Sequence, residues 1–164
     1  GNPMESALKL KAMVDRLAAE YGKVNLCAVS LGGTLLAAYL DIIEEFCPDV
    51  QYLSMVSKPE DIERVKARKI NYIGNEVLFS SDDSPFASEK FIEEEHKNGF
   101  LVWCNAIVYS YKAVLAAGHN DDISAAGDPD NGWGWIADKG YDFMQTDWPL
   151  MAIEYLKKKG KLYR

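Results

Sequence analysis

Three groups of side chains in this sequence are of the kinds that carry out chemistry. The first centres on Ser30, in Ala28-Val29-Ser30-Leu31-Gly32-Gly33-Thr34, where a short apolar run passes through a serine into glycines. A strand turning tightly into a helix there would hold the serine hydroxyl above a sheet. A serine is a weak nucleophile without a base. The base would be His119, in Gly118-His119-Asn120-Asp121, with Asp82 or Asp83 as the acid that orients it. The second group is Trp103 with Asn105, closing Leu101-Val102-Trp103-Cys104-Asn105. The third is Thr146-Asp147, which follows Tyr141-Asp142-Phe143-Met144-Gln145. An indole, an amide and a carboxylate so placed suit the binding of a small polar ligand. Asp121-Asp122 beside His119 has ligand types for a hard cation, but adjacent acids usually mark a solvated loop, so no metal site is expected.

Apolar periodicity shows which elements must position these residues. Leu10, Val14, Leu17, Ala18 and Tyr21 repeat at helical intervals before Gly22, as do Leu36, Tyr39, Leu40 and Ile43 before Pro48. Strands are expected at residues 24–29, 50–56, 70–73 (or on to 79), 101–104 and 141–145. Further helices are expected after Ser57-Lys58-Pro59-Glu60, from Pro85 to Gly99, over residues 109–117, and from Pro149 to Gly160. Such alternation implies parallel strands covered by helices. Ser30, Ser57, the run Ser80-Ser81-Asp82-Asp83, Asn105 and Thr146-Asp147 then gather at strand carboxyl ends, the rim where parallel α/β folds place binding chemistry. Taken singly, each also suits a helix cap, Ser57 and Asp147 especially. Residues 118–132, rich in Gly, Asp, Asn and Ala, are expected as a long loop.

Composition narrows the classes. The 164 residues carry 18 basic and 25 acidic side chains, a net charge of −7, so no basic face is available to displace counterions from nucleic acid. A hydrophobic share of 48% with 26% charged is globular. No apolar run is long enough to cross a bilayer and no signal-peptide pattern opens the chain, so a cytoplasmic protein is expected. Cys27, Cys47 and Cys104 make neither an even disulfide framework nor a close ligand pair.

Two resemblances follow from the motifs. The Ser30 segment looks like the nucleophile elbow of α/β-hydrolases, with Ala28 where that turn favours glycine. This implies a small serine hydrolase using Ser30 and His119. A wider resemblance covers roughly residues 50–160. It rests on His96-Lys97-Asn98-Gly99-Phe100-Leu101-Val102-Trp103-Cys104-Asn105 and on Gly140-Tyr141-Asp142-Phe143-Met144-Gln145-Thr146-Asp147-Trp148-Pro149. In that order the two segments resemble the closing strands of the glycerophosphodiester phosphodiesterase family, a (β/α)-barrel family. Trp103 and Asn105 are separated by one residue, a small departure from the family's Trp-x-x-Asn. Ser80-Ser81-Asp82-Asp83-Ser84-Pro85 and the insert leading to Trp133-Gly134-Trp135 are similar to a branch with an enlarged final crossover.

The resemblance implies phosphoric diester hydrolysis in lipid and glycerol metabolism, with a divalent metal, Mg or Ca, held by carboxylates and a histidine pair as acid and base. The family's His-Arg-Gly, Glu-x-Asp and His-Asp motifs are absent from this sequence, and His96 matches a non-catalytic helix histidine. Hydrolysis needs charge neutralisation on the phosphate and a proton for the leaving alkoxide, so the chain alone is expected to be inactive and to support no metal. A full barrel takes about 250 residues. The expected architecture is therefore α/β: a partial (β/α) TIM-type barrel of about five parallel strands with covering helices, as one domain. Trp103, Asn105, Asp147 and Ser30 would contact a small phosphodiester. A non-catalytic ligand-binding or assembly module is the remaining expectation. Open sheet edges and an inner face drawn from Leu26, Ala28, Leu53, Met55, Val102 and Phe143 lead us to expect a homodimer.

Overall fold

Residues 3–22, 44, 48–49, 51–108 and 113–162 are described by the computed structural model. Helix α1 (Pro3–Tyr21) is followed by strand β1 (Gln51–Val56), helix α2 (Pro59–Lys66) and strand β2 (Asn71–Val77). A 3-10 turn (Pro85–Ala87) leads into α3 (Glu89–Lys97) and β3 (Leu101–Asn105). Then come α4 (Asp121–Ala125), a π-turn (Asp130–Gly134), α5 (Trp135–Lys139), β4 (Phe143–Gln145) and α6 (Pro149–Lys159). The strands form one parallel sheet in the order β1-β2-β3-β4. This is the expected α/β class, with four strands rather than five among the described residues. The candidate strand at 24–29 and the candidate helix before Pro48 lie outside them. The chain divides into two compact units, Gly1–Ser54 with Glu60–Ile73 and Met55–Pro59 with Gly74–Arg164.

In the first unit α2 buries Ile62 and Val65, three apart on one face, with Glu60 and Asp61 in its first turn and Arg64 and Lys66 in its last. Asn71 ties the approach to β2 back to the preceding turn: its N–H donates to Pro48 O at 2.9 Å and its Nδ2 to Asp49 O at 3.1 Å.

In the second unit the helix expected from Pro85 is interrupted at Ser88, which stays extended. Its hydroxyl oxygen accepts from Phe91 N at 3.2 Å, capping α3. β3 is the hub, with Val102 and Cys104 wholly buried. Register sorts the faces. Glu76 pairs with Trp103 and Trp103 with Phe143; two residues on, Asn105 pairs with Gln145. Glu76, Trp103, Asn105, Phe143 and Gln145 thus share one face, while Asn75, Val102, Cys104 and Met144 share the other. Buried Asn75 donates from Nδ2 to buried Glu95 Oε2 of α3 at 3.0 Å, so that second face meets the helix. Val102 therefore belongs to the helix-facing side, not with Phe143.

Two expectations fail for a common reason. The helix over 109–117 is absent in its described part: Phe79 N donates to Leu115 O and Ala117 N to Phe79 O, both at 3.0 Å, a parallel bridge centred on Phe79 and Ala116. Residues 118–132 are not a structureless loop but hold α4 and the start of the π-turn, with Trp133 and Ile136 of the following stretch in the core. In both places tertiary hydrogen bonds outweigh weak local propensity. Among the described residues no helix is long and apolar enough to cross a membrane.

Gly74 makes the closest approach in the sheet. It sits opposite Leu101, and a Cβ there would run into the Leu101 carbonyl. Gly74→Ala is expected to cost about 3 kcal/mol by forced overpacking, read from urea unfolding; an unchanged midpoint would mean the strands separate without penalty.

Candidate functional site

Asn105 ends β3 and is almost fully buried, and both ends of its amide are used. Its Oδ1 accepts from Trp103 Nε1 at 3.2 Å, and its Nδ2 donates to Glu76 Oε1 at 2.9 Å. Sequence reasoning paired Trp103 with Asn105, and the structure brings them together. It adds Glu76, which that reasoning missed. Glu76 is 5% exposed, and burial holds its carboxyl above the usual glutamate range, only partly offset by the Asn105 hydrogen bond. On the same face Gln145 Oε1 is buried and has no hydrogen-bond partner among the described residues.

A second cluster forms at the same strand ends around Asp121. This carboxylate is 2% exposed, with Oδ1 accepting from Trp133 Nε1 at 2.7 Å and Thr146 Oγ1 at 2.6 Å, and Oδ2 from Asp147 N at 2.7 Å. Its own N–H donates to Ala106 O at 2.8 Å, just past β3. The insert is drawn in closely enough that a Cβ on Gly132 would strike Ser124 Oγ, the atom that accepts from Trp133 N. Asp147 joins the cluster through its backbone; its side chain is exposed. It does not cap α6, whose N-cap is Trp148 without a side-chain bond.

His119 lies against the insert. Its ring stacks on Trp135, with centroids 3.9 Å apart and planes within 6°. Nε2 faces Asp82 Oδ1 at 3.0 Å and Nδ1 faces Asn131 O at 2.6 Å. Both neighbours are acceptors, so neither nitrogen is left for a serine hydroxyl. Of Asp82 and Asp83, it is Asp82 that contacts His119. Ser30 lies outside the described residues. His96 pairs its Nε2 with Asp142 Oδ2 at 2.9 Å, and the same oxygen accepts from Val102 N at 2.7 Å. That pins α3 to the sheet and leaves His96 away from the Glu76 cluster's role. Trp133 proves to be core, Trp135 is half-buried against buried Phe79 and Tyr141, and Trp148 is exposed.

The chemistry this arrangement offers is acceptance and donation of hydrogen bonds beside aromatic rings. The face that holds Glu76 carries no Lys, Arg or His between Gly74 and Val77, along β3, or along β4. A divalent cation has no fitting set among the described residues: no three His, Cys, Asp or Glu side chains converge, Asp121 has both oxygens filled by donors, and Glu76 has one taken.

A family model described as a domain of unknown function matches residues 49–156. No curated protein matches the chain.

Asp121→Ala is expected to cost at least about 3 kcal/mol, because three donors lose their acceptor in a buried setting; urea unfolding reads it, and a loss below about 1 kcal/mol would show that water replaces the carboxylate. Glu76 predicts a pH signature. Its folded-state value is raised, so the stability it contributes is complete below the unfolded glutamate value of about 4.3 and is lost as pH rises through the folded value. Glu76→Gln, which keeps an acceptor for Asn105, should gain on the wild type at neutral pH, with the gap closing in acid. Parallel stability curves for the two proteins would contradict the assignment.

Proposed function

We infer that this chain, which belongs to the DUF4996 family, supplies the ligand-binding strand ends of a partial (β/α) barrel of the glycerophosphodiester phosphodiesterase type and does not hydrolyse the ligand by itself. The observation that carries the reading is Gln145 Oε1, buried without a hydrogen-bond donor among the described residues on the face that holds Glu76 and Asn105. A buried carbonyl oxygen without a partner is costly, and a ligand that brings a hydroxyl removes the cost. Glu76, Asn105 and Gln145 offer a carboxyl and two amides, with the Trp103 and Phe143 rings 6.0 Å apart beside them. A glycerol-like group, small and rich in hydroxyls, matches that set.

The phosphate of such a ligand would need its charge met by groups other than these, since the described strand positions of this face carry no Lys, Arg or His. The Mg or Ca that the family resemblance implies does not fit the described carboxylates, so no step is assigned to it. Hydrolysis further needs an acid and a base on opposite sides of the phosphorus, and the described histidines are engaged elsewhere, His96 with Asp142 and His119 with Asp82 and Asn131.

Calorimetric titration with glycerophosphocholine tests the reading. Saturable binding is expected, weakened at least about ten-fold by Asn105→Ala and by Trp103→Phe, the value of one or two hydrogen bonds. Incubation with Mg²⁺ or Ca²⁺ is expected to release no glycerol 3-phosphate. Failure to bind, or chelator-sensitive release of glycerol 3-phosphate, overturns it.

A further inference from the structure

Helix α6 turns its larger apolar side chains outward. At 100° per residue Leu150, Ile153, Glu154 and Lys157 lie on one stripe, while Ala152 is buried against the body. Leu150 is 78% exposed, and Met151, Ile153, Trp148 and Phe143 extend the apolar surface around it. Beside the stripe lies a groove of about 650 Å³ whose apolar wall is Phe143, Met144, Pro149, Ile153, Leu156 and Leu162. Charge is divided along the same helix. Exposed Asp147 precedes it and exposed Glu154 sits midway, whereas Lys157 and Lys158 occupy its last turn. Lys159 and Lys161 are engaged by Asp130 and Asp138; Lys157 and Lys158 make no ion pair among the described residues.

We propose that α6 is the contact surface of a homodimer, in which two copies lie antiparallel across a two-fold axis and Leu150 of each enters the groove of the other. An isologous interface requires one patch to hold both a projection and a recess and to complement itself in charge after a half-turn. The α6 face meets each requirement. Leu150 is the projection, the Phe143–Leu156 groove is the recess, and antiparallel alignment sets the acidic end of one helix against the lysines of the other. The helix dipoles are opposed in the same arrangement. At a net charge of −7 two copies repel one another in general. Contact is therefore favoured where each brings unpaired cations to the other's carboxylates. An anionic lipid surface would be served by the lysines but opposed by Asp147 and Glu154, whereas a second copy matches both.

Light scattering on the full chain tests it. The wild type should show twice 18.4 kDa at micromolar concentration, and Leu150→Glu, a change at an exposed site, should halve that mass with an unchanged circular dichroism spectrum. Lys157→Glu with Lys158→Glu should also give monomers, and adding Asp147→Lys with Glu154→Lys should restore the dimer, because the reversed charges complement each other again. A monomeric wild type up to millimolar concentration, a dimer that survives Leu150→Glu, or a four-fold variant that stays monomeric overturns the proposal. So does a monomer that binds anionic vesicles through the same lysines.

Discussion

The arrangement of the strand ends depends on one buried carboxylate. Asp121 collects hydrogen bonds from the indole of Trp133, the hydroxyl of Thr146 and the backbone of Asp147, while its own N–H reaches Ala106. Three stretches far apart in sequence, those after β3, through the π-turn and after β4, are thereby fixed to one side chain. Hydrogen bonds to an ionised carboxylate are about twice as strong as neutral ones. Without them, α4 is a five-residue helix with little apolar surface to hold it, and Trp133 would have no polar partner for its indole N–H in the core.

The sheet carries two different kinds of interior. Its helix-facing side is closed by side chains that need nothing further: Val102, Cys104 and Ile92 are packed, and the Asn75 and Glu95 side chains satisfy each other. Burial there pushes the Cys104 thiol up, so that it is an inert sulfhydryl. The opposite side has Glu76, Asn105 and Gln145 at neighbouring positions, a polar set that an apolar core would not tolerate without partners. The unequal treatment of the two faces is the physical ground for reading the second one as a place where something binds.

Much of this was legible in the residues. Strands β1 to β4 announce themselves as short apolar runs between turn signals, and α6 by Pro149 at its start and Gly160 after its end. Trp103 and Asn105 are paired by the family motif they resemble, and standing two apart on a strand they share one face. Glu76 could not be added, since which residues of β2 share that face depends on register, and register is set by neighbours rather than by the strand itself. The insert was opaque for a related reason. Its order comes from Asp121 and Ser124 holding Trp133 and from Gly132 packing against Ser124, not from apolar periodicity. The stretch before Gly118 was misread because alanines, valine and leucine suit a helix as well as the extended bridge that Phe79 draws out of residues 115–117.

The anchoring of the insert at both ends has a mechanical consequence. Asp121 and Ser124 hold its beginning, and Trp133 with Ile136 holds its end, while residues 125–128 between them are exposed. Those four positions, the last of α4 and the turn that follows it, present no side chain to the core. A chain nicked there, or lengthened there over evolutionary time, keeps both anchors and the strand ends they support, whereas a cut or insertion a few residues to either side would separate Trp133 from the carboxylate that holds it. Variation in this segment can therefore alter what surrounds the rim while leaving the rim in place.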